Sequence, residues 1–460
     1  MKKTILTLTL ISFLTGIYNQ AYCIEEVKAS QNFDKIKTEQ VKENEDKFSY
    51  INMPWWQNFN DEYLTDYIEK AVNYNHNLKI ATLSTKEYYQ AVRLQFANQL
   101  PSISTGFAPA YTKTLNSTES GFQFALPVLA NYEIDLFLKN RDKTKSVRKN
   151  YEMALIDERA AYISVASAVG STYFNIVKLD KDIELQKQIT EERKTIFDLM
   201  SKRNAQGITS TADTMRANKA YVEALTELTE LEKQRDSLLN SFCTLIGEPS
   251  GSAEDIARIS FDDINFTGII PESIESEIIE QRPDYLKALH NIEKAGIDVR
   301  VAKKEFLPSL NIGGLALFNA SDLGKLFNTT RMFNAIGGMA GIDIFKGGAK
   351  IASLKLRKTA YERVIEEYKQ TNLTAVQEIN DALLFIKKDS EKLSNTIKQQ
   401  DFEEKDNEFY KKRYEKGIIS KLDLAQSNEN LLAINKLFVN QKTDCYIDYI
   451  GLYKSVGSRL

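Results

Sequence analysis

The sequence predicts a mainly α-helical protein with a small β part, built from two copies of one unit. Three observations support this prediction. The chain has only eight Pro and 20 Gly in 460 residues, and these residues cluster. Two stretches, 140–206 and 351–416, contain no Pro and at most one Gly, which allows helices of about 60 residues. Short motifs also recur in the same order, which is typical of an internal repeat.

The first 23 residues have the layout of a secretory signal peptide. A short basic head precedes an apolar stretch, 4–17, that is too short to span a membrane as a helix. Cys23 allows two interpretations, lipid attachment or ordinary cleavage. Tyr22 and Gln20 stand where a lipidation signal has a small and a leucine-like residue, so ordinary cleavage fits better.

The composition excludes several functional classes. A net charge of −3 argues against a nucleic-acid partner. His76 and His290 belong to no Cys/His cluster and to no catalytic constellation, so we expect no enzyme, metal site or cofactor. Beyond the signal segment no run of about 18 apolar residues is expected. Any membrane-spanning part is therefore predicted to consist of strands in a closed barrel.

Four motif pairs define the repeat. They are Leu100–Ile103 with Leu307–Leu310, Ile134–Phe137 with Ile342–Phe345, Arg203–Asp213 with Arg413–Asp423, and Ile246–Gly247 with Val456–Gly457. Their constant order predicts the following organisation. An extended segment, 24–54, precedes a first repeat, 55–250, with a strand pair at 102–136 and a helical hairpin at 140–247. A linker, 251–270, leads to a second repeat, 271–460, with a strand pair at 309–345 and a hairpin at 347–457.

Each repeat is predicted to run from a helix through a strand pair into a long, coiled-coil-like hairpin. Pro101 and Pro308 disfavour helix at the residues before them, and Gly, aromatic and small polar residues follow. Apolar residues recur at heptad spacing in the long stretches, for example at Phe402 and Phe409. Four strands cannot close a barrel wide enough to conduct. The strands therefore require either oligomerisation or a role outside the membrane.

The third motif pair predicts a sharp helical turn at the end of each hairpin. The paired positions are Gly207 and Gly417, Ser210 and Ser420, and Asp213 and Asp423. Glycine suits the left-handed residue after a helix, and serine is a good N-cap with an acidic residue three positions later. Ile208 and Ile418 place apolar side chains at these tips, which favours contact with a partner. Two interpretations of the aspartates stay open, helix caps or functional residues.

An ordered set of motifs resembles the TolC/NodT-type outer-membrane efflux proteins. The motifs are Trp55-Trp56-x-x-Phe59-x-Asp61-x-x-Leu64, Asn75-x-Asn77-Leu78, Gln281-Arg282-Pro283-Asp284, Phe306-Leu307-Pro308-Ser309 and the Arg-x-x-x-Gly turn. The resemblance implies a homotrimeric α/β-barrel duct in contact with outer-membrane lipid, with four transmembrane strands per protomer and a helical tunnel in the periplasm. It also implies docking on a periplasmic adaptor and an inner-membrane efflux pump, and passive passage of drugs or other small solutes.

The resemblance also implies roles for the tip residues. The family's periplasmic gate falls at Tyr414, Asp213 and Asp423, whereas Ile419 and Gln426 depart from its charged positions. Arg203 and Arg413 are then candidate cationic partners. The adaptor-contacting residues are expected at Gly207, Ile208, Ser210, Gly417, Ile418 and Ser420. A type I protein-secretion duct and a non-transporting coiled-coil envelope protein are the alternatives.

Overall fold

The computed structural model describes residues 54–113, 120–251, 256–268, 271, 273–327 and 332–457. The chain divides into a terminal unit, of which only residues 54 and 55 are described, and one compact unit from Trp56 to Gly457. The expected signal peptide and Cys23 lie outside the described residues, so cleavage and lipid attachment at Cys23 stay predictions.

One order of elements occurs twice along the chain. The first half contains a 3₁₀ turn (Trp55–Phe59), α1 (Glu62–Tyr74), α2 (His76–Ala97), β1 (Ser102–Thr105), β2 (Ala108–Lys113), β3 (Ser120–Ile134), α3 (Lys139–Ala205) and α4 (Thr211–Ile246). The second contains 3₁₀ turns at Phe261–Asp263 and Ser276–Gln281, α5 (Pro283–Lys304), β4 (Ser309–Ala320), a 3₁₀ turn (Leu323–Lys325), β5 (Phe333–Gly341), α6 (Ala349–Glu415) and α7 (Lys421–Val456). The predicted fold class, mainly helical with a small sheet, is confirmed.

The repeat holds residue by residue in the helices. α3 and α6 are both 67 residues long and begin at Lys139 and Ala349, 210 positions apart. α4 and α7 are both 36 residues long with the same offset, from Thr211 to Lys421. At 1.5 Å per residue, α3 and α6 are each about 100 Å long. The predicted internal repeat is therefore confirmed, and every position in a hairpin has an equivalent 210 residues away.

The strands form one antiparallel sheet in which β3 and β4 are central. β3 pairs with β4 from Phe124 to Ile134, and β4 pairs with β5 from Ser309 to Leu317. β1 and β2 both pair with the other side of β3, in one continuous register. The sheet thus has the width of four strands, and its two edges, β1 with β2 and β5, have no further strand beside them among the described residues.

Pro127 explains why the first strand is interrupted. The register places Gly106, between β1 and β2, opposite Pro127. The Gly106 amide donates to the Pro127 carbonyl oxygen at 3.2 Å, but Pro127 has no N–H to return a bond. The ladder therefore loses one of its two bonds here, and the predicted strand at the start of the 102–136 pair is divided into β1 and β2.

The helices form a single layer whose order differs at its two ends. Towards the hairpin tips the order is α4, α3, α7, α6, and towards the sheet it is α2, α3, α5, α6. α3 is therefore covered on both sides, whereas α6 forms one edge of the layer along its whole length. α4 and α2 form the opposite edge.

An aromatic cluster joins the two halves midway along the layer. Phe59 is fully buried, and its ring centroid lies 4.5 Å from that of Phe174 in α3. Tyr446 in α7 packs on Phe174 at 5.4 Å. Trp55 and Trp56 are only 2% and 9% exposed, so neither ring lies open to a ligand.

One described helix comes close to a membrane span in length and composition. α3 contains an 18-residue segment that is apolar enough, by length and composition alone, to cross a membrane. More than half of that segment is buried inside the protein, where α3 packs between its neighbours. Because α3 is covered on both sides, its apolar residues are those of a core helix.

Candidate functional site at the hairpin tips

Each long hairpin ends in the turn that its sequence predicts. Gly207 and Gly417 adopt left-handed φ values of 70° and 66°. In the first turn the Ile208 amide donates to the Arg203 carbonyl at 2.9 Å, and in the second the Ile418 amide donates to the Arg413 carbonyl at 2.9 Å. These bonds satisfy carbonyl groups that the helix end leaves free. The predicted C′ glycines are confirmed.

Serine begins the returning helix in both turns. Ser210 Oγ accepts the Asp213 amide at 3.1 Å, and Ser420 Oγ accepts the Asp423 amide at 3.3 Å. In the second turn the Asp423 carboxylate also accepts the Ser420 amide at 2.9 Å, which completes a capping box. Asp213 differs, because its carboxylate pairs with Arg216 at 2.8 Å. Only Asp423 therefore completes a capping box, whereas the Asp213 carboxylate accepts the Ser210 hydroxyl at 2.7 Å and holds a cation.

The tips expose apolar side chains to solvent. Ile208 is 61% exposed and Ile418 is 58% exposed. Met215, one turn into α4, is 69% exposed and extends the apolar surface of the first tip. Sequence analysis missed Met215, because a methionine within a helical pattern usually predicts a core position. These three side chains are not covered by other residues of the chain, and exposed apolar groups of this kind are typical of a contact with a partner.

The predicted gate residues are divided between the two tips, with Arg203 and Asp213 at the first and Arg413, Tyr414 and Asp423 at the second. Among the described residues they do not form a closed network within one chain. Tyr414 is 38% exposed. The Arg413 guanidinium lies over the Phe409 ring, 5.4 Å from its centroid. The Ser420 hydroxyl and amide hold the pKa of Asp423 below its usual range, and the charges of Arg413 and Arg203 add to this lowering. Among the described residues, neither arginine forms an ion pair with a carboxylate.

A partly buried polar layer connects the two hairpins further from the tips. Arg193 in α3 donates from Nε to Glu429 in α7 at 2.8 Å. Asn428 in α7 donates to Glu192 in α3 at 2.9 Å. Asn407 in α6 is 1% exposed, and its side-chain amide donates to the side-chain oxygen Oδ1 of Asn428 at 2.8 Å. Sequence analysis missed this layer, because each of its residues is an ordinary polar residue until three helices are brought together.

Asp182 is an unusual buried acid in the same contact between hairpins. It is 3% exposed, and its Oδ1 atom has no hydrogen-bond partner among the described residues. Burial raises the pKa of this carboxyl to about 6, although the nearby charges of Lys436 and Lys178 oppose the change. The folded state therefore holds the Asp182 proton more tightly than the unfolded chain does.

Replacing Asp182 by asparagine should stabilise the protein at neutral pH but not at acidic pH. The stability that the Asp182 proton confers is complete below about pH 4, and it is lost as the pH rises to about 6. At pH 8 the variant should gain up to about 3 kcal/mol, the equivalent of about two pKa units. Thermal midpoints of both proteins at pH 4 and pH 8 measure this gain. An equal shift at both pH values would contradict the ionisation argument.

The comparison with known families decides what these hairpins belong to. The model of the outer membrane efflux protein family matches residues 67–248 and 275–458, one segment in each half of the chain. The chain belongs to the outer membrane efflux protein family. It is therefore an outer-membrane efflux channel with its helical tunnel in the periplasm, and the predicted family and localisation are confirmed.

Relatives of this outer membrane efflux protein have similar lengths. TtgC of Pseudomonas putida, a probable efflux pump outer membrane protein, is 25% identical over 88% of this chain and 84% of its own. The cation efflux system protein CusC of Escherichia coli is 22% identical over 89% of each chain. These relatives are efflux proteins and not enzymes, and they favour a channel over the structural coiled-coil alternative.

Solved structures of outer-membrane channels share the fold. The Campylobacter jejuni CmeC channel has a TM-score of 0.80 and 25% identity, covering 88% of each chain. The Neisseria gonorrhoeae MtrE channel in its open state has a TM-score of 0.76 and 22% identity, covering 86% of this chain and 89% of its own.

Among the described residues of the efflux protein, no group of His, Cys, Asp and Glu could hold a metal ion.

Proposed function

We propose that three copies of this chain assemble into one outer-membrane exit duct. The observation that carries the proposal is the sheet with two open edges at one end of the helical layer. Unpaired strand edges are not tolerated in lipid, because their N–H and C=O groups would have no hydrogen-bond partners. Pairing β5 of each copy with β1 and β2 of the next would close a barrel of twelve strands and leave no edge.

The helical layer then forms the walls of the periplasmic tunnel. Each copy supplies two hairpins of the same length, so three copies supply six nearly equivalent hairpins. α6 and α4 are the edges of the layer in one copy, and a ring joins each α6 to the next α4. The tips meet at the end opposite to the barrel, where a narrow inner mouth would form. We place the periplasmic gate there, at Tyr414, Asp213, Asp423, Arg203 and Arg413.

The exposed tip residues fit a docking role. The adaptor of a tripartite system would contact Gly207, Ile208, Ser210 and their equivalents Gly417, Ile418 and Ser420. Ile208 and Ile418 supply the apolar contact, and the glycines keep the turns tight enough for a partner to approach. An inner-membrane pump would deliver cargo to this complex, and passage through the duct would be passive.

The cargo is proposed to be drugs or other small solutes. Relatives carry names that refer to toluene, antibiotic and cation efflux, so the outer component serves chemically different cargoes. A deletion strain tested against drugs, detergents and metals identifies the class, and full restoration by the cloned gene is the control. Loss of export of a folded protein, with unchanged sensitivity to every small solute, would favour type I secretion instead.

The assembly is tested on the purified protein in detergent. We expect native mass spectrometry to give a species of three chains, and planar lipid bilayers to show discrete conductance steps after its insertion. A protein that stays monomeric in several mild detergents and produces no conductance would overturn the proposed duct. The two readouts are independent, since one reports mass and the other a water-filled path.

A further inference from the structure

The two long helices differ in exposure at equivalent positions. Ile163 and Phe174 of α3 are 6% and 1% exposed. Their equivalents in α6, 210 positions later, are Leu373 and Leu384, which are 68% and 48% exposed. All four side chains are large and apolar. This face of α6 therefore has the same apolar character as that of α3, but no neighbouring helix of the chain covers it. Within the chain, Phe174 is covered by Tyr446 of α7.

The opposite edge of the layer shows the same contrast. Ala425 of α7, which is 2% exposed, is equivalent to Met215 of α4, which is 69% exposed. On the sheet side, Val301 of α5 is 9% exposed, whereas Leu94 of α2, 207 positions earlier, is 71% exposed. Each edge therefore exposes residues whose equivalents are buried in the middle of the layer. The faces of α6 and α4 that are equivalent to the α3–α7 contact are therefore both exposed in a single chain.

The charges on these exposed faces indicate which surface packs against α6. Within the chain, Arg193 of α3 pairs with Glu429 of α7 at 2.7 Å, and the two side chains are 28% and 18% exposed. The equivalent of Arg193 is Glu403 of α6, and the equivalent of Glu429 is Lys219 of α4. In the equivalent pair the negative charge lies on the long helix and the positive charge on the returning helix, so the two charges are still opposite. In one chain Glu403 forms no ion pair among the described residues, and Lys219 has only the exposed Glu223 at 3.6 Å.

We propose that Glu403 of one copy pairs with Lys219 of a second copy, across the contact between α6 and α4 that the proposed duct requires. This inference rests on the proposed trimer and goes beyond it, because it names the facing residues. The contact joins different surfaces of the two copies, so it closes into a ring only through a rotation.

A zero-length carbodiimide cross-link tests the pair directly, because it joins a carboxylate to an amine only when they touch. In the detergent-purified protein we expect covalent dimers and trimers that contain a peptide linking Glu403 to Lys219. Glu403→Gln and Lys219→Gln should each eliminate that linked peptide. Glu404→Gln is the matched control, since its equivalent Lys194 is exposed in α3, and it should leave the link intact.

Charge reversal supplies a second readout. Lys219→Glu and Glu403→Lys should each lower the temperature at which the trimer dissociates, and the double variant should recover most of the loss. A stable trimer without the Glu403–Lys219 peptide, or without recovery in the double variant, would overturn this inference and leave the duct standing. A monomeric protein would overturn the duct and the interface together.

Discussion

Aspartate in place of both Ile208 and Ile418 should reduce efflux to the level of the deletion strain while leaving the trimer intact. Both side chains are more than half exposed and touch no core, so the substitutions should not disturb folding. A partner that covers these tips must bury the new charges, and an unpaired buried charge is far costlier than an apolar contact. The effect is repeated at six tips per trimer, so even a modest cost at each tip would prevent docking.

The measurement is the minimum inhibitory concentration of a cargo compound, taken with the mass of the purified channel. Ile208→Leu with Ile418→Leu is the matched control, because leucine keeps the size and apolar character of the tip and should preserve efflux. The aspartate variant should still give discrete conductance steps in bilayers, since adaptor docking plays no part there. Normal efflux in the aspartate variant would show that the tips are structural turns.

Opening of the inner mouth is the second large effect that we expect. Asp423→Ala combined with Tyr414→Phe should raise single-channel conductance several-fold. The Asp423 carboxylate lies near the charges of Arg413 and Arg203, and three copies bring three such groups to one narrow opening. Removing the Asp423 carboxylate takes away a negative charge that offsets Arg413 and Arg203 at the mouth, and removing the phenol hydroxyl takes away a hydrogen-bonding group. Like charges then repel one another, and the mouth widens.

The capping box complicates the gate experiment, and the structure supplies its control. Asp423 also accepts the Ser420 amide, so Asp423→Ala weakens the start of α7 as well as the gate. Ser420→Ala removes the cap to the Asp423 amide but keeps the carboxylate. A matching rise in conductance for Ser420→Ala would assign the effect to the cap. Unchanged conductance in the double variant would remove Tyr414 and Asp423 from the gate.

Much of the tip could be predicted because its physics is local. A glycine after the helix, a serine three residues later and an acid three beyond that specify the backbone at each position without help from distant residues. The turns at Gly207 and Gly417 therefore have the predicted conformation. Asp213, however, forms an ion pair with Arg216, one turn further along α4. The resemblance to the family's gate did not predict this pair.

The repeat, the long helices and the strand pairs follow from the sequence alone, because they depend on periodicity and on where Pro and Gly stand. Which faces are covered was decided only by the tertiary structure. Phe174 and Leu384 occupy equivalent positions with similar apolar side chains, yet one is 1% exposed and the other 48%. The difference arises because α3 lies inside the layer and α6 at its edge. Burial depends on neighbours, and a duplicated sequence carries no local signal for which copy of a helix will have them.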